Sequence, residues 1–263
     1  NHLNLEANGK ISDHILLAKV QIHDKTKIQL KAAGGVDVKT PLSSLRWNGQ
    51  LTELSSSGKI PIRLMSPTKV SISPEQASLG QTTFSISDGH IHIDQLQWTP
   101  QDWKTRGNFT GIALLPGEHP ELKQPFLHLG GHWDFTSNTQ LTGNLHIHRE
   151  KGDWYLPGEV PQPIGLEIMQ LKLAARDEKI TGKFELISQY IGTADAHLTL
   201  PIQQSNHRWS ISEHAPLSGE VIANIANLKW IDPILGDSIN IDGQLRARAH
   251  IQGTLNQPDF NGE

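Results

Sequence analysis

The sequence predicts an all-β fold of long, one-sided antiparallel strands with at most one or two short helices. Three observations carry the prediction. From Ile239 to Leu255 every odd position is apolar or glycine and every even position is polar, 17 residues without an exception. Shorter runs of the same period recur in pairs separated by turn residues. The 23 Gly and 15 Pro fall mostly between these runs, where turns need them. A period of two sends alternate side chains to opposite faces of an extended chain. A helix would mix the two sets and bury Arg246 or Arg248.

In chain order, the first hairpin joins Leu16–Ile22 to Ile28–Ala32 across the polar Asp24-Lys25-Thr26-Lys27. The spacing over Leu42–Leu54 admits a short helix. Phe84 and Ile86 pair with Ile91 and Ile93 around Asp88-Gly89, a dipeptide suited to tight hairpin turns. Alternate positions from Leu127 to Phe135 and, after Ser137-Asn138-Thr139, from Leu141 to Ile147 form the next hairpin. His128, His132, Asp134, Thr142, Asn144, His146 and His148 face the other way. Ile180–Leu186 and Gly192–Leu200 make a further pair, closed by Pro201. Val221, Ile225 and Leu228 fall at i, i+4 and i+7, which predicts a short helix over Val221–Ile231 ended by Pro233. The last run, Ile239–Leu255, would extend about 55 Å at ~3.3 Å per residue, unless Gly243 or Gly253 bends it.

Composition narrows the function. The 263 residues carry 23 Lys+Arg against 27 Asp+Glu, a net charge of −4 with no basic stripe. That excludes a general nucleic-acid binder and gives no polybasic signal for an anionic membrane surface. Hydrophobic residues at 36% supply core material, and charged residues at 19% are too few for a disordered chain. No run approaches the ~18 apolar residues of a membrane-spanning helix. With no cysteine, disulfides, Cys-ligated zinc, iron–sulfur clusters and thiol nucleophiles are ruled out. There is no Ser/Gly-rich linker and no break in composition. Residues 1–263 therefore read as a single β-rich fragment, and Asn1 in place of a start Met suggests a piece of a longer protein.

Catalytic signatures are missing. There is no G-x-S-x-G, H-E-x-x-H, Walker loop or G-x-G-x-x-G. His90/His92 and His146/His148 have the H-x-H spacing that places two ligands on one strand face. That face is the polar one, no carboxylate completes either pair, and they read as surface histidines, with no metal and no cofactor. Asp88, Asp94, Glu118 and Glu121 read as surface carboxylates, and Trp133 falls on the apolar side of its strand.

An apolar sheet face must be covered by a second sheet, by barrel closure, by helices, or by a guest. Helices are too few here. The pattern alone leaves open a closed sandwich or solenoid with a structural or adhesin role, and an open groove that binds something. A solenoid should show a short fixed repeat, and none of constant period is present.

The close of the sequence separates these readings. Gly253-Thr254-Leu255 followed by Pro258 and Gly262 resembles the repeated G-T-L-x-x-P-x-x-x-G signature of the TamB family, within the AsmA-like superfamily of periplasmic β-proteins. Trp230-Ile231-Asp232-Pro233 and Gly243-x-Leu245 are similar to the same family, and the resemblance covers about 55 residues from Trp209. It implies an elongated, curved, mainly one-sided β-sheet folded lengthwise around a hydrophobic groove, the β-taco. It implies a non-enzymatic protein of the periplasm whose parent is anchored in the inner membrane of a diderm bacterium. Its expected work is carriage of phospholipid acyl chains to the outer membrane, assembly of outer-membrane proteins with a TamA-type β-barrel partner, or both, with unfolded outer-membrane protein strands as further clients. On this reading the groove is lined by Phe84, Ile86, Ile91, Ile93, Leu127, Leu129, Trp133, Phe135, Leu141, Leu145 and Ile147. Phe184, Leu186, Leu198, Leu200, Ile239, Ile241, Leu245, Ala247, Ala249, Ile251 and Leu255 complete the lining. Small residues on the same face, such as Gly143, Gly182 and Gly243, would leave room for a chain and permit curvature.

Overall fold

The computed structural model describes residues 2–22, 26–37, 45–58, 60–114, 127–156, 162–205, 208–231 and 241–262. The chain is all-β. Among the described residues the one helical element is a single 3-10 turn, Leu228–Ile231. The strands gather into two compact units, residues 1–112 with 132–139 and residues 113–131 with 140–263.

The first unit opens with a four-strand antiparallel meander: β1 (His2–Lys10), β2 (Asp13–Ile22), β3 (Thr26–Val36) and β4 (Trp47–Ser57). Two short strands, β5 (Ile62–Leu64) and β6 (Thr68–Ser73), then share the next lane along β4. β7 (Gln76–Leu79) follows β6, β8 (Thr82–Ile86) follows β5, and both meet β9 (Gly89–Trp98), which pairs with β10 (Trp103–Leu114). The expected hairpins form, with Val20 opposite Ile28 and Phe84 opposite Ile91. The second turn is one residue off the expected dipeptide. It consists of Ser87 and Asp88, with Ser87 at φ 50°, and Gly89 already opens β9 opposite Ile86. Gly89 is needed inside the strand, because a β-carbon there would strike the Gly111 carbonyl oxygen at 2.6 Å.

No helix forms over the described part of Leu42–Leu54. Trp47 to Leu54 belong to β4, where Leu51 faces Ala32 on one side and Thr68 on the other. Pairing on both edges overrides the local spacing. Residues 42–44 lie outside the described set.

β11 (Leu127–Ser137) has residues in each unit. The second unit is a seven-strand antiparallel ladder, in the order β12 (Leu141–Lys151), β15 (Leu166–Arg176), β16 (Lys179–Ser188), β17 (Gly192–Pro201), β20 (Ser218–Ile225), β21 (Leu245–Gly253) and β22 (Pro258–Gly262). Two minor pairs sit in its connections, β13 (Tyr155–Leu156) with β14 (Gln162–Pro163) and β18 (Gln203–Ser205) with β19 (Arg208–Ser210).

Two expectations for this unit are corrected. Val221 to Ile225 are strand, and only Leu228–Ile231 turn as a 3-10 helix. Gly219, Val221, Ala223 and Ile225 also alternate, and the ladder partners on both sides select that period. The 17-residue run is not one strand, since β21 covers Leu245–Gly253 alone. Gly243, at φ 142°, breaks it upstream, where its carbonyl oxygen accepts the Leu228 N–H at 3.0 Å. Gly253, at φ 86°, ends it downstream. Ile241 and Leu255 therefore lie off the strand, and Ile239 and Pro233 lie outside the described residues.

A small core closes one end of the second unit. Leu127, Ile164 and Leu166 are 1%, 5% and 3% exposed, with Leu129, Leu156, Met169, Leu186 and Ile191 packed against them. Asp153 fixes the segment that crosses there. Its carboxylate accepts the backbone N–H groups of Trp154, Gly165 and Leu166 at 2.8, 2.9 and 3.0 Å.

Candidate functional site

Residues directly opposite each other in an antiparallel ladder point to the same face. The register of the second unit therefore converts the period-two pattern into a continuous surface. One rung reads Leu145, Leu173, Gly182, Leu198, Gly219, Ile251, Phe260 across seven strands. The next reads Ile147, Leu171, Phe184, Ala196, Val221, Ala249, Gly262. Met169, Leu186, Ala194, Ala223 and Ala247 form the third, and Leu166, Ser188, Gly192, Ile225 and Leu245 the last. On the opposite face the corresponding rung is His146, Lys172, Lys183, His197, Glu220, His250 and Asn261.

Ten expected lining residues thus share one face: Leu145, Ile147, Phe184, Leu186, Leu198, Leu200, Leu245, Ala247, Ala249 and Ile251. The described residues do not pack this face out. Phe184, Leu186, Leu198, Leu200, Ala247 and Ala249 are half-buried, Leu245 is 45% exposed and Phe260 is 62% exposed. Ile251 is buried. Seven strands at ~4.8 Å and three rung steps of ~6.7 Å devote roughly 600 Å² of sheet to apolar side chains, at the upper end of the largest apolar patch on a typical monomer. The small residues do not all leave vacant space. A Leu173 methyl lies 3.2 Å from where a β-carbon of Gly182 would be, and one from Leu198 lies 2.6 Å from that of Gly219.

Leu127 and Leu141 take another role. Both are buried, Leu127 in the small core, so they are covered by neighbours instead of facing open space. Leu129 packs against the same core. Leu255 is 43% exposed in the turn after β21, and Ile241 precedes the Gly243 bend.

The first unit carries its own apolar face. Leu64, Phe84 and Ile91 make one rung, and Ile62, Ile86 and Gly89 another. Ile93 pairs with Thr82 and Gly107. Trp133 lies over Gly107, stacks on Phe109 at 6.5 Å between centroids, and donates from Nε1 to Thr105 Oγ1 at 2.9 Å. Phe135 is half-buried two residues on. Trp47, which the sequence reading did not single out, covers Gly34 and Gly49 in the same manner and donates to His14 Nε2 at 3.0 Å.

The family-type residues build a hairpin and a cavity wall. Thr254 and Gln257 close the β21–β22 turn, each N–H donating to the other's carbonyl oxygen at 3.1 Å. Gly253 precedes that turn in the left-handed region, and a β-carbon there would meet the Gln257 oxygen at 2.5 Å. Pro258 opens β22 opposite Gly253, and Gly262 pairs with Ala249. Trp230 lines a cavity of about 510 Å³ beyond the last rung of the apolar face.

One histidine of each pair bonds to neighbouring side chains. His92 meets Thr83 Oγ1 at 2.8 Å and Asp94 Oδ1 at 3.3 Å, and His146 meets Gln170 Oε1 at 3.2 Å. Among the described residues no group of three or more His, Cys, Asp or Glu converges.

Comparison with known proteins agrees with this architecture. No curated protein and no solved structure matches the chain. The family described as TamB, N-terminal domain, matches residues 126–263, just over half of the chain and the whole seven-strand ladder. The chain belongs to the TamB family, bacterial envelope proteins that take part in outer-membrane assembly and transport.

Proposed function

We propose that the apolar sheet faces carry phospholipid acyl chains through the periplasm. On this reading the parent protein is anchored in the inner membrane and delivers to a TamA-type partner in the outer membrane. The supporting observation is the seven-strand face of the second unit, whose leucine, phenylalanine, valine and alanine side chains stay half-buried. A closed sandwich would bury them as fully as Leu127.

The physics needs no reactive group. An acyl chain crossing water costs about 0.8 kcal/mol per methylene, so ~15 methylenes cost roughly 12 kcal/mol. A trough of aliphatic side chains removes much of that along its length, while the polar head stays in water. The protein then acts as a passive conduit and not as an enzyme.

The test is lipid content. The parent protein is purified from envelopes, its bound phospholipid is extracted and counted, and Ala249→Arg is compared with the natural chain. An arginine in the second-last position of a rung that runs from Ile147 to Gly262 should empty the face with little change in stability. An unchanged lipid load in that variant contradicts the reading.

A second client class has an observation of its own. Every residue of β1 is exposed, with Leu3 and Leu5 at 65% and 68%. An alternating strand presented this way can pair with an incoming strand of an unfolded outer-membrane protein.

A further inference from the structure

Resting on that reading, we propose that the cavity of about 510 Å³ past the last rung holds the anionic, acceptor-rich head of a phospholipid whose chains lie on the apolar face. The last rung contains Gly192 and Ile225, and the cavity is lined by their chain neighbours Ile191 and Ala226. Its volume falls in the ~300–1,000 Å³ range of small-molecule sites. Ile164 and Ile191 form part of its wall, and Ile164 belongs to the core cluster that Ile191 and, from the face, Met169 and Leu186 pack against. The last rung also holds Leu166 and Ser188, and the Ser188 hydroxyl is used up by the chain, donating to the Ile164 oxygen and accepting the Ile191 N–H, so the apolar face adjoins the cavity wall there.

The polar lining is rich in donors. Asn227 Oδ1 already accepts the Lys229 N–H at 2.9 Å, which leaves the amide NH₂ of Asn227 to face a ligand. Lys229 brings an ammonium, Gln162 and Gln189 bring amides, and among the described residues no carboxylate lines the cavity. The 3-10 turn that carries Lys229 is tied down by the Leu228 N–H donating to the Gly243 oxygen at 3.0 Å. Lys229 Nζ meets Asp242 at 3.5 Å, with the two side chains 56% and 78% exposed. Such an exposed pair is weak, so a phosphate oxygen can compete for the ammonium and form a shorter, charge-assisted bond.

A lipid head and free phosphate share this chemistry, and titration calorimetry separates them. Dihexanoyl phosphatidylglycerol, uncharged dihexanoylglycerol and inorganic phosphate are titrated into the whole chain and into Lys229→Gln and Asp242→Asn. The phosphatidylglycerol should bind about tenfold more weakly to Lys229→Gln. It should bind about threefold more tightly to Asp242→Asn, where the ammonium has lost its competitor. Dihexanoylglycerol should respond to neither change. Equal phosphatidylglycerol affinity in all three proteins overturns the proposal, and it leaves the face reading standing if Ala249→Arg still abolishes binding. Phosphate that binds as tightly as the lipid, with the same response to both variants, also overturns it and assigns the cavity to free phosphate. No binding of either lipid to any of the proteins overturns this proposal together with the reading it rests on.

Discussion

The covered end of the second unit and its open face use the same kinds of residue and leave them in different states. Leu127, Ile164 and Leu166 are 1–5% exposed because they pack on one another and under Leu129, Leu156, Met169, Leu186 and Ile191, with the Gly165–Leu166 backbone held by Asp153. Phe184, Leu198 and Val221 stay half-buried because no described segment of this unit covers them to that degree. Ordinary side-chain chemistry is satisfied by the chain at one place and left for something else at the other. Burial, more than hydrophobicity, marks where the polypeptide completes its own packing.

Three substitutions would break or sharpen that contrast, and urea unfolding reads all of them. Leu127→Ala removes a fully covered side chain and should cost about 3 kcal/mol. Asp153→Ala strips the acceptor from three backbone N–H groups at the crossing and should cost about 2 kcal/mol. Phe184→Ala removes a larger side chain than Leu127→Ala does. Its site is already half in water, so the loss should stay near 1 kcal/mol, well below the ~3 kcal/mol of a covered aromatic. A Phe184 variant as damaging as the Leu127 variant would mean that the chain packs its open face after all. A lipid load that falls in Phe184→Ala and is kept in Leu127→Ala would sharpen the contrast.

The strands were legible because a period of two survives tertiary context when one face is solvated. Leu16 to Ile22, Phe184 with Leu186, and Leu198 with Leu200 sit on strands with the expected faces. Val221, Ile225 and Leu228 misled because a short stretch satisfies both periods, and only its ladder partners choose between them. The Ile239–Leu255 alternation concealed a break at Gly243, since glycine fits either face of the pattern and also permits the positive φ that stops the strand. The crossing at Asp153 left no local signature. Its partners, Gly165 and Leu166, are 12 and 13 residues away. The Trp47–His14 contact spans 33 residues and was hidden for the same reason.

The claim that the apolar face is the one left for a guest can be tested by parity. A photoreactive amino acid is placed, one position at a time, at Ala196 and Val221 on the apolar face and at their neighbours His197 and Glu220 on the polar face. The parent protein is irradiated in the envelope and its adducts are weighed by mass spectrometry. Phospholipid adducts at 196 and 221 and none at 197 and 220 are the predicted result. Equal adducts on both faces, or none at 196 and 221, would contradict it.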